Sequence, residues 1–340
     1  MDNIVSQPLV SVIMPVYNCE QFIGNAVESI LKQTLNDFEL IIIDDFSNDQ
    51  TVVIVESYND CRIRIFKKSE NTGYIASLNR GLEMAQGKYI ARMDGDDISD
   101  LKRFEKQVYY LDNNPDIAGC GTWYRILGTD RIIKNPVAPD DVKIALLDYC
   151  ALGHPTVMIR EQFLKKGKFA YDPSFYPAED YELWTRIVAS GKLSNIPEVL
   201  LSYRMHPNQV SATAQQIQVA KSYQCKMKML RYLVDPASAE DLKNIRLLVT
   251  TQVIGDADRL GEMVGWLSKL ETINARSEFY EDSKFKIYVK EKKAGIVRTY
   301  YLHNTVYNLG VLKQFNKNFC QYFTLNELIR FTLKCTLPWK

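Results

Sequence analysis

Short β-branched runs alternate with stretches of helical apolar spacing through the first ninety residues, and that alternation restricts the fold more than any other feature. Val10-Ser11-Val12-Ile13-Met14-Pro15-Val16 reads as a strand stopped by proline near its end. Phe22, Ile23, Ala26, Val27, Ile30 and Leu31 predict a helix over Phe22 to Gln33. Phe38 to Ile43 is a nearly continuous apolar run closed by Asp44, the text of a strand covered on both faces. A helix near Gln50 to Tyr58 follows, with Ser47 and Asp49 as its expected caps. A strand over Arg62 to Phe66, a helix over Ile75 to Ala85 and a strand over Tyr89 to Met93 complete the series. This order predicts an α/β fold, a mainly parallel sheet with helices on both faces. In such sheets ligands bind beyond the carboxyl ends of the strands.

Those ends carry the unusual residues. The first strand delivers Pro15-Val16-Tyr17-Asn18, the second Asp44-Asp45, and the fourth Asp94-Gly95-Asp96-Asp97. Carboxylates gathered at one rim repel each other unless a cation or donors offset the charge. In an extended segment Asp94 and Asp96 share a face, and Gly95 between them lets another group come close to the backbone. Hard oxygen ligands with open positions suit Mg2+ or Mn2+ bridging to phosphates. Read alone, the same residues are as well explained by an aspartate-rich turn that caps the next helix. Neither G-x-G-x-x-G after the first strand nor G-x-x-x-x-G-K-[ST] occurs, so phosphate binding is expected to rest on a metal and not on a glycine loop.

Composition removes several classes. A chain of 340 residues that is 46% hydrophobic is neither disordered nor collagen-like. Its seven cysteines are scattered and form no C-x-x-C, which argues against a disulfide framework and a zinc site. Met1-Asp2-Asn3-Ile4 lacks the pattern of a signal peptide, and no apolar run approaches the roughly 18 residues of a membrane span. The expected location is the cytoplasm.

Taken together, the motifs resemble the family 2 glycosyltransferases, whose GT-A fold is Rossmann-like. Val10 to Asn18 is similar to the family's opening strand and nucleotide loop, and Asp44-Asp45-Phe46-Ser47-Asn48-Asp49-Gln50-Thr51 to its D-D-x-S-x-D-x-T segment. Asn71-Thr72-Gly73, Leu78 to Leu82 and Ala85 to Ile90 follow its middle pattern, and Asp94 to Asp97 looks like its metal-binding D-x-D. His154-Pro155-Thr156, Glu179 to Trp184 and Tyr203-Arg204-Met205-His206 come in the expected order, so the resemblance spans about residues 8 to 212. One departure is Asp100-Leu101-Lys102-Arg103, where the family often has Leu-Pro-Asp-Arg and only Arg103 keeps its place. The Q-x-x-R-W motif and membrane spans of the processive synthases are missing, which implies one sugar added per binding event.

The resemblance implies an inverting hexosyl- or N-acetylhexosaminyltransferase. Its donor would be a nucleotide sugar, with UDP favoured, and its acceptor a hydroxyl of a growing cell-surface glycan on a lipid carrier. Pro15, Val16 and Tyr17 would border the nucleoside, and Asp44 would accept hydrogen bonds from base or ribose. Asn79, Asp94 and Gly95 would lie against the nucleotide, Asp96 would ligate Mn2+ or Mg2+, and His206 would complete the metal shell or touch the diphosphate. Asp180 would be the general base. Local readings compete with each role. Asp45 is as well placed to be a turn partner of Asn48 or Asp49, and Asn79 a solvated helix residue. Glu179 and Asp180 fit as plain acids at a helix N-terminus. His154 suits a pocket wall or a turn, and His303 is read as structural. Two other functions make different demands on the sequence. A sugar nucleotidyltransferase should carry a glycine-rich basic signature after the first strand, and a non-catalytic binding subunit should have lost Asp96 or Asp180; neither holds.

From about Thr213 the text turns helical, dividing a catalytic domain over 1–212 from an extension over 213–340. Ile217 to Leu233 predicts a helix stopped by Pro236, with further helices near Ala239 to Ile254 and Ala257 to Leu270. From Glu281 onward 11 basic residues face 4 acidic ones, a net of +7 against −6 for the first 280. Tyr300, Tyr301, Tyr307, Phe315, Phe319, Tyr322, Phe323, Phe331 and Trp339 are interleaved with them. A peripheral surface on the inner, anionic face of the cell membrane and an appendage that packs its aromatics inward both fit. No nucleic-acid motif is present.

Overall fold

The computed structural model describes residues 7–207, 209, 214–235, 237–250, 254–303 and 307–336. The chain forms two compact units, Met1–Lys226 and Met227–Lys340. The division falls inside a helix, beyond residue 213 where helical text begins.

In the first unit β1 (Val10–Val16), β2 (Phe38–Asp44), β3 (Ile63–Lys67) and β4 (Tyr89–Arg92) pair in parallel. They are joined by α1 (Ile23–Leu31), α2 (Thr51–Glu56) and α3 (Tyr74–Met84). Every residue of β1 and β2 is buried, which is why these strands read as apolar runs and not as alternation. The register sets Val16 beside Asp44 and Ile13 beside Arg92, so all three strands end at one rim.

Beyond β4 the sheet is mixed. β5 (Ile98–Ser99), β6 (Ile117–Ile126), β7 (Ile132–Ile133), β8 (Met158–Arg160) and β9 (Lys192–Tyr203) extend the order to β3-β2-β1-β4-β8-β6-β9-β5, with β7 on β6. β8 runs antiparallel to β4 and β6, β5 antiparallel to β9, and β6 parallel to β9. Among the described residues this unit continues with α4 (Arg103–Asn113), α5 (Pro139–Ala145), α6 (Glu161–Gly167) and α7 (Glu179–Ile187). On one face of the sheet Val12 and Met14 pack with Ile23, Val27 and Ile30 of α1 and Phe104 and Leu111 of α4. On the other, Ile13, Ile90 and Ile159 meet Leu78, Leu164 and Leu183 around a small cavity.

The turn into β4 makes the closest backbone approach. A Cβ on Gly87 would stand 2.5 Å from the Ser11 nitrogen. Ser11 Oγ accepts from the N–H groups of Gln86 and Gly87 at 3.0 and 2.8 Å and donates to Glu39 at 2.6 Å. Backbone cannot swing aside as a side chain can, so Gly87→Ala is expected to cost about 1–3 kcal/mol. The denaturant midpoint should fall at unchanged slope; an unmoved midpoint would show that the turn can shift freely.

α8 (Gln215–Arg231) crosses the division. The second unit continues with α9 (Ala239–Thr250), α10 (Ala257–Ser277), α11 (Asp282–His303), α12 (Leu309–Asn318) and α13 (Leu325–Thr336). Asp256 caps α10 by accepting from the Arg259 N–H at 2.7 Å, and Asn308 caps α12 through Val311 at 2.9 Å. Tyr301, Phe315, Phe319, Phe323 and Phe331 are buried together with Leu260, Val297 and Cys335, so these aromatics form the core of the unit. Pro236 and Trp339, the expected helix stop and the last aromatic, lie outside the described residues. No helix among the described residues is long and apolar enough to cross a membrane.

Candidate active site

The loops after β1 and β2 are tied into one lip. Asn18 donates its N–H to Ser47 Oγ at 2.9 Å and accepts from the Asn48 N–H at 2.9 Å; Cys19 N–H meets Thr51 Oγ1 at 2.8 Å. Ser47 is therefore not a helix cap, while Asp49 does accept from the Thr51 N–H at 2.9 Å. Both loops pass through left-handed backbone, at Asn18 (φ 48°) and Phe46 (φ 69°). A phenylalanine there is strained, a feature that gathers at functional sites. Pro15 and Val16 are buried at the end of β1, and Tyr17 and Phe46 stand exposed on the lip. Asp44 is buried and accepts from the Ser47 N–H at 3.2 Å. Asp45 pairs with neither Asn48 nor Asp49: it forms an ion pair with Lys68 at 2.8 Å and accepts from the Thr72 N–H at 3.0 Å.

At the end of β4, ligand oxygens of Asp94, Asp96 and Asp97 lie within 4.8 Å of one another. Each acid has a different offset. Asp94 forms an ion pair with Arg92, and burial still pushes its carboxyl up to about 6 against that attraction. Asp96 Oδ2 faces His206 Nε2 at 2.9 Å. Asp97 accepts from the Arg204 N–H at 2.8 Å, but its Oδ2 is buried without a partner, and burial holds the group well above the usual carboxylate range. Arg204 also donates to the Asp96 carbonyl at 2.8 Å and lies over the Phe22 ring at 4.7 Å. Three clustered carboxylates, one of which keeps a buried oxygen without a partner, with an imidazole beside them fit a divalent cation. The group that comes close to Gly95 is the β1 loop: a Cβ there would meet Val16 at 3.0 Å and Cys19 Sγ at 3.2 Å.

Glu179 and Asp180 open α7 and face the same neighbourhood, since the Asp180 charge raises Asp94. Burial lifts Asp180 above the usual carboxylate range, opposed by the Tyr181 N–H at 2.7 Å and the Cys150 thiol at 3.6 Å. Glu179 is pushed up to about 8, first by burial and then by Asp180, and its Oε2 has no partner. Arg92 is the enclosed cation among these acids. Burial, then Arg92, also holds His154 well below the usual histidine range; its ring nitrogens meet Tyr74 Oη at 3.2 Å and Tyr171 Oη at 2.8 Å. Asn79 is neither solvated nor free: both ends of its amide hold the Tyr171 main chain, each at 2.9 Å.

The structure thus gathers Asp94, Gly95, Asp96, His206 and Asp180 and commits Asn79 elsewhere. Arg92, Tyr74 and Tyr171 were not singled out from sequence, and Glu179 and Arg204 were quoted within motifs without a role in the site. Of the first three, Arg92 left a signal there, an arginine inside the apolar run Tyr89 to Met93. Arg103, the residue that keeps its place in the departing segment, is buried and donates to the Arg92 carbonyl at 2.7 Å.

Because Glu179 rises from 4.5 to about 8, the folded state holds a proton the unfolded state releases earlier. Its contribution is fully present below about pH 4.5 and lost as pH rises through 8. Glu179→Gln is expected to flatten the fall in melting temperature across that window. Equal slopes for the two proteins would sink the assignment.

The family model described as glycosyl transferase family 2 matches residues 11–168. An uncharacterized glycosyltransferase of Haemophilus influenzae is 36% identical over 242 residues, 67% of this chain and 75% of its own. The UDP-Glc:alpha-D-GlcNAc-diphosphoundecaprenol beta-1,3-glucosyltransferase WfgD of Escherichia coli is 32% identical over 207 residues, covering 60% and 80%. Among solved structures, S. aureus TarS 1–349 in complex with UDP aligns with TM-score 0.55 at 19% identity over 85% of this chain and 89% of that one. Mannosyltransferase PcManGT from Pyrobaculum calidifontis, in complex with GDP-Man and Mn2+, aligns at 0.52 and 16%, covering 85% and 88%. At those identities the two structures speak for the fold alone.

Proposed function

This chain belongs to glycosyl transferase family 2, and from that premise we propose that it moves one hexosyl or N-acetylhexosaminyl group from a UDP-sugar to a hydroxyl of a growing cell-surface glycan, with inversion at the anomeric carbon. The observation that carries the reading is the acidic rim at β4, with Glu179 and Asp180 of α7 in the same electrostatic neighbourhood. A donor diphosphate needs charge neutralisation, and an acceptor hydroxyl needs a base.

In this reading Pro15, Val16 and Tyr17 border the nucleoside, and Asp44 offers its remaining acceptor capacity to base or ribose. Asp94, fixed by Arg92, and the Gly95 backbone lie against the nucleotide. Asn79 acts at one remove, by holding Tyr171. Asp96 and His206 would hold Mn2+ or Mg2+, which when bound offsets the charge of the departing diphosphate as a Lewis acid. Asp180 takes the proton of the acceptor hydroxyl as its oxygen bonds to the anomeric carbon and the bond to the diphosphate oxygen breaks. One direct displacement inverts that carbon and leaves no glycosyl-enzyme intermediate.

WfgD, by its name, acts on a GlcNAc-diphosphoundecaprenol acceptor, and that likeness supports a lipid-linked acceptor met at the inner face of the membrane. A panel of nucleotide sugars, read as release of nucleoside diphosphate with Mn2+ or Mg2+ supplied, tests the proposal. UDP-sugars should turn over in preference to GDP-sugars. Binding without turnover of any donor would favour a non-catalytic subunit, and pyrophosphate release from nucleotide triphosphate and sugar phosphate a nucleotidyltransferase.

A further inference from the structure

α13 is apolar on two sides. Phe331 and Cys335 are buried in the core of the second unit, and Leu328 packs against them. Leu325, Ile329 and Leu333 are nevertheless 73%, 51% and 44% exposed. They recur every fourth residue, so they form one outward stripe. α12 packs on α13 through Phe315 and Phe331, whose ring centroids are 4.6 Å apart. It presents Leu309, 60% exposed, with Lys313 and Lys317 four and eight residues on.

The charge around these apolar residues has one sign. Lys313, Lys317 and Arg330 are exposed and enter no ion pair among the described residues. The one acid carried by α12 and α13, Glu327, is already engaged, with Arg298 at 3.2 Å and with the Thr324 N–H and hydroxyl at 2.8 and 2.9 Å. A surface made of leucine, isoleucine and unpaired cations is matched by apolar chains below a layer of anions. No described helix is able to span a bilayer, so contact would be peripheral.

We propose that the outward faces of α12 and α13 dock on an anionic lipid bilayer. Leu309, Leu325, Ile329 and Leu333 enter the boundary between headgroups and acyl chains, and Lys313, Lys317 and Arg330 meet lipid phosphates. The contact would bring the enzyme to a lipid-linked acceptor, but it stands on the exposed faces and not on the transfer chemistry.

The test is co-sedimentation of the full chain with phosphatidylglycerol-containing vesicles and with pure phosphatidylcholine vesicles. Binding is expected to the former, weakening as salt rises, and not to the latter. The combined variant Lys313→Gln, Lys317→Gln, Arg330→Gln should lose affinity on the order of a hundredfold. The combined variant Leu325→Gln, Ile329→Gln, Leu333→Gln should lose binding while keeping its melting temperature, since glutamine is a good helix former. Absence of binding at low salt, or variants that bind as the wild type does, would overturn the proposal. So would self-association that the stripe variant abolishes without any lipid binding, which would make the stripe a contact between copies of the chain. No sugar transfer enters the measurement, so failure of the transferase reading leaves its outcome untouched.

Discussion

Replacing Asp96 with alanine is expected to reduce sugar transfer to background and to weaken metal-dependent UDP binding. The side chain is partly exposed and its protein contacts are few, His206 at 2.9 Å and Gln209 at 3.4 Å, so the fold should survive. Its neighbours are already partly committed to protein partners. Asp94 is engaged by Arg92, and Asp97 is buried against the Arg204 N–H. EDTA should reproduce the variant in the intact protein, and added Mn2+ should restore only the intact protein. Calorimetric titration of UDP with and without Mn2+ separates lost binding from lost chemistry. Full activity in chelator would remove any metal from the reaction.

The half of the fold that holds the rim was legible because its strands are buried on both faces, which writes them as runs such as Phe38 to Asp44. Of the mixed half less was: strand-like text over Val199 to Met205 marks only the end of β9. β6 opens Ile117-Ala118-Gly119-Cys120-Gly121, where a Cβ on Gly119 would stand 2.9 Å from the Met158 carbonyl and one on Gly121 2.3 Å from Asn195 Oδ1. Those glycines answer to partner segments far along the chain and leave no period-two pattern. The rim's acids were visible for the same reason they are costly, as carboxylates crowded at strand ends. Of what offsets them, His206 was named beside Asp96 only through the family resemblance, and Arg204 had no reading in that role, because both reach the rim across more than a hundred residues. In the last segment, bases and aromatics interleaved in sequence fitted both a membrane-facing surface and an appendage with its aromatics packed inward. Folding separates them: Phe315 and Phe331 turn inward, and Lys313, Lys317 and Arg330 turn outward.

Asp180→Asn keeps size and much of the hydrogen bonding but removes basicity. UDP and metal binding should persist while transfer falls by about 10²–10⁴-fold, the usual worth of a positioned general base. The pH dependence makes the role more specific. A base must be ionised to accept the acceptor proton, and burial holds the Asp180 carboxyl above its usual range. The acid limb of kcat/KM should therefore lie at higher pH than an ordinary aspartate would give, with activity rising as the group deprotonates. The Cys150 thiol, 3.6 Å away, lowers that carboxyl by hydrogen bonding to its charged form. Cys150→Ala deletes the donor, so the limb should move to still higher pH, with the plateau little changed. A purely structural aspartate predicts no such movement. If Asp180→Asn instead loses UDP binding while single-turnover transfer stays near normal, or if the limb ignores Cys150→Ala, the proton is taken by another group. Glu179 is then the next carboxylate to test, because it shares the N-terminus of α7 and its buried Oε2 has no partner.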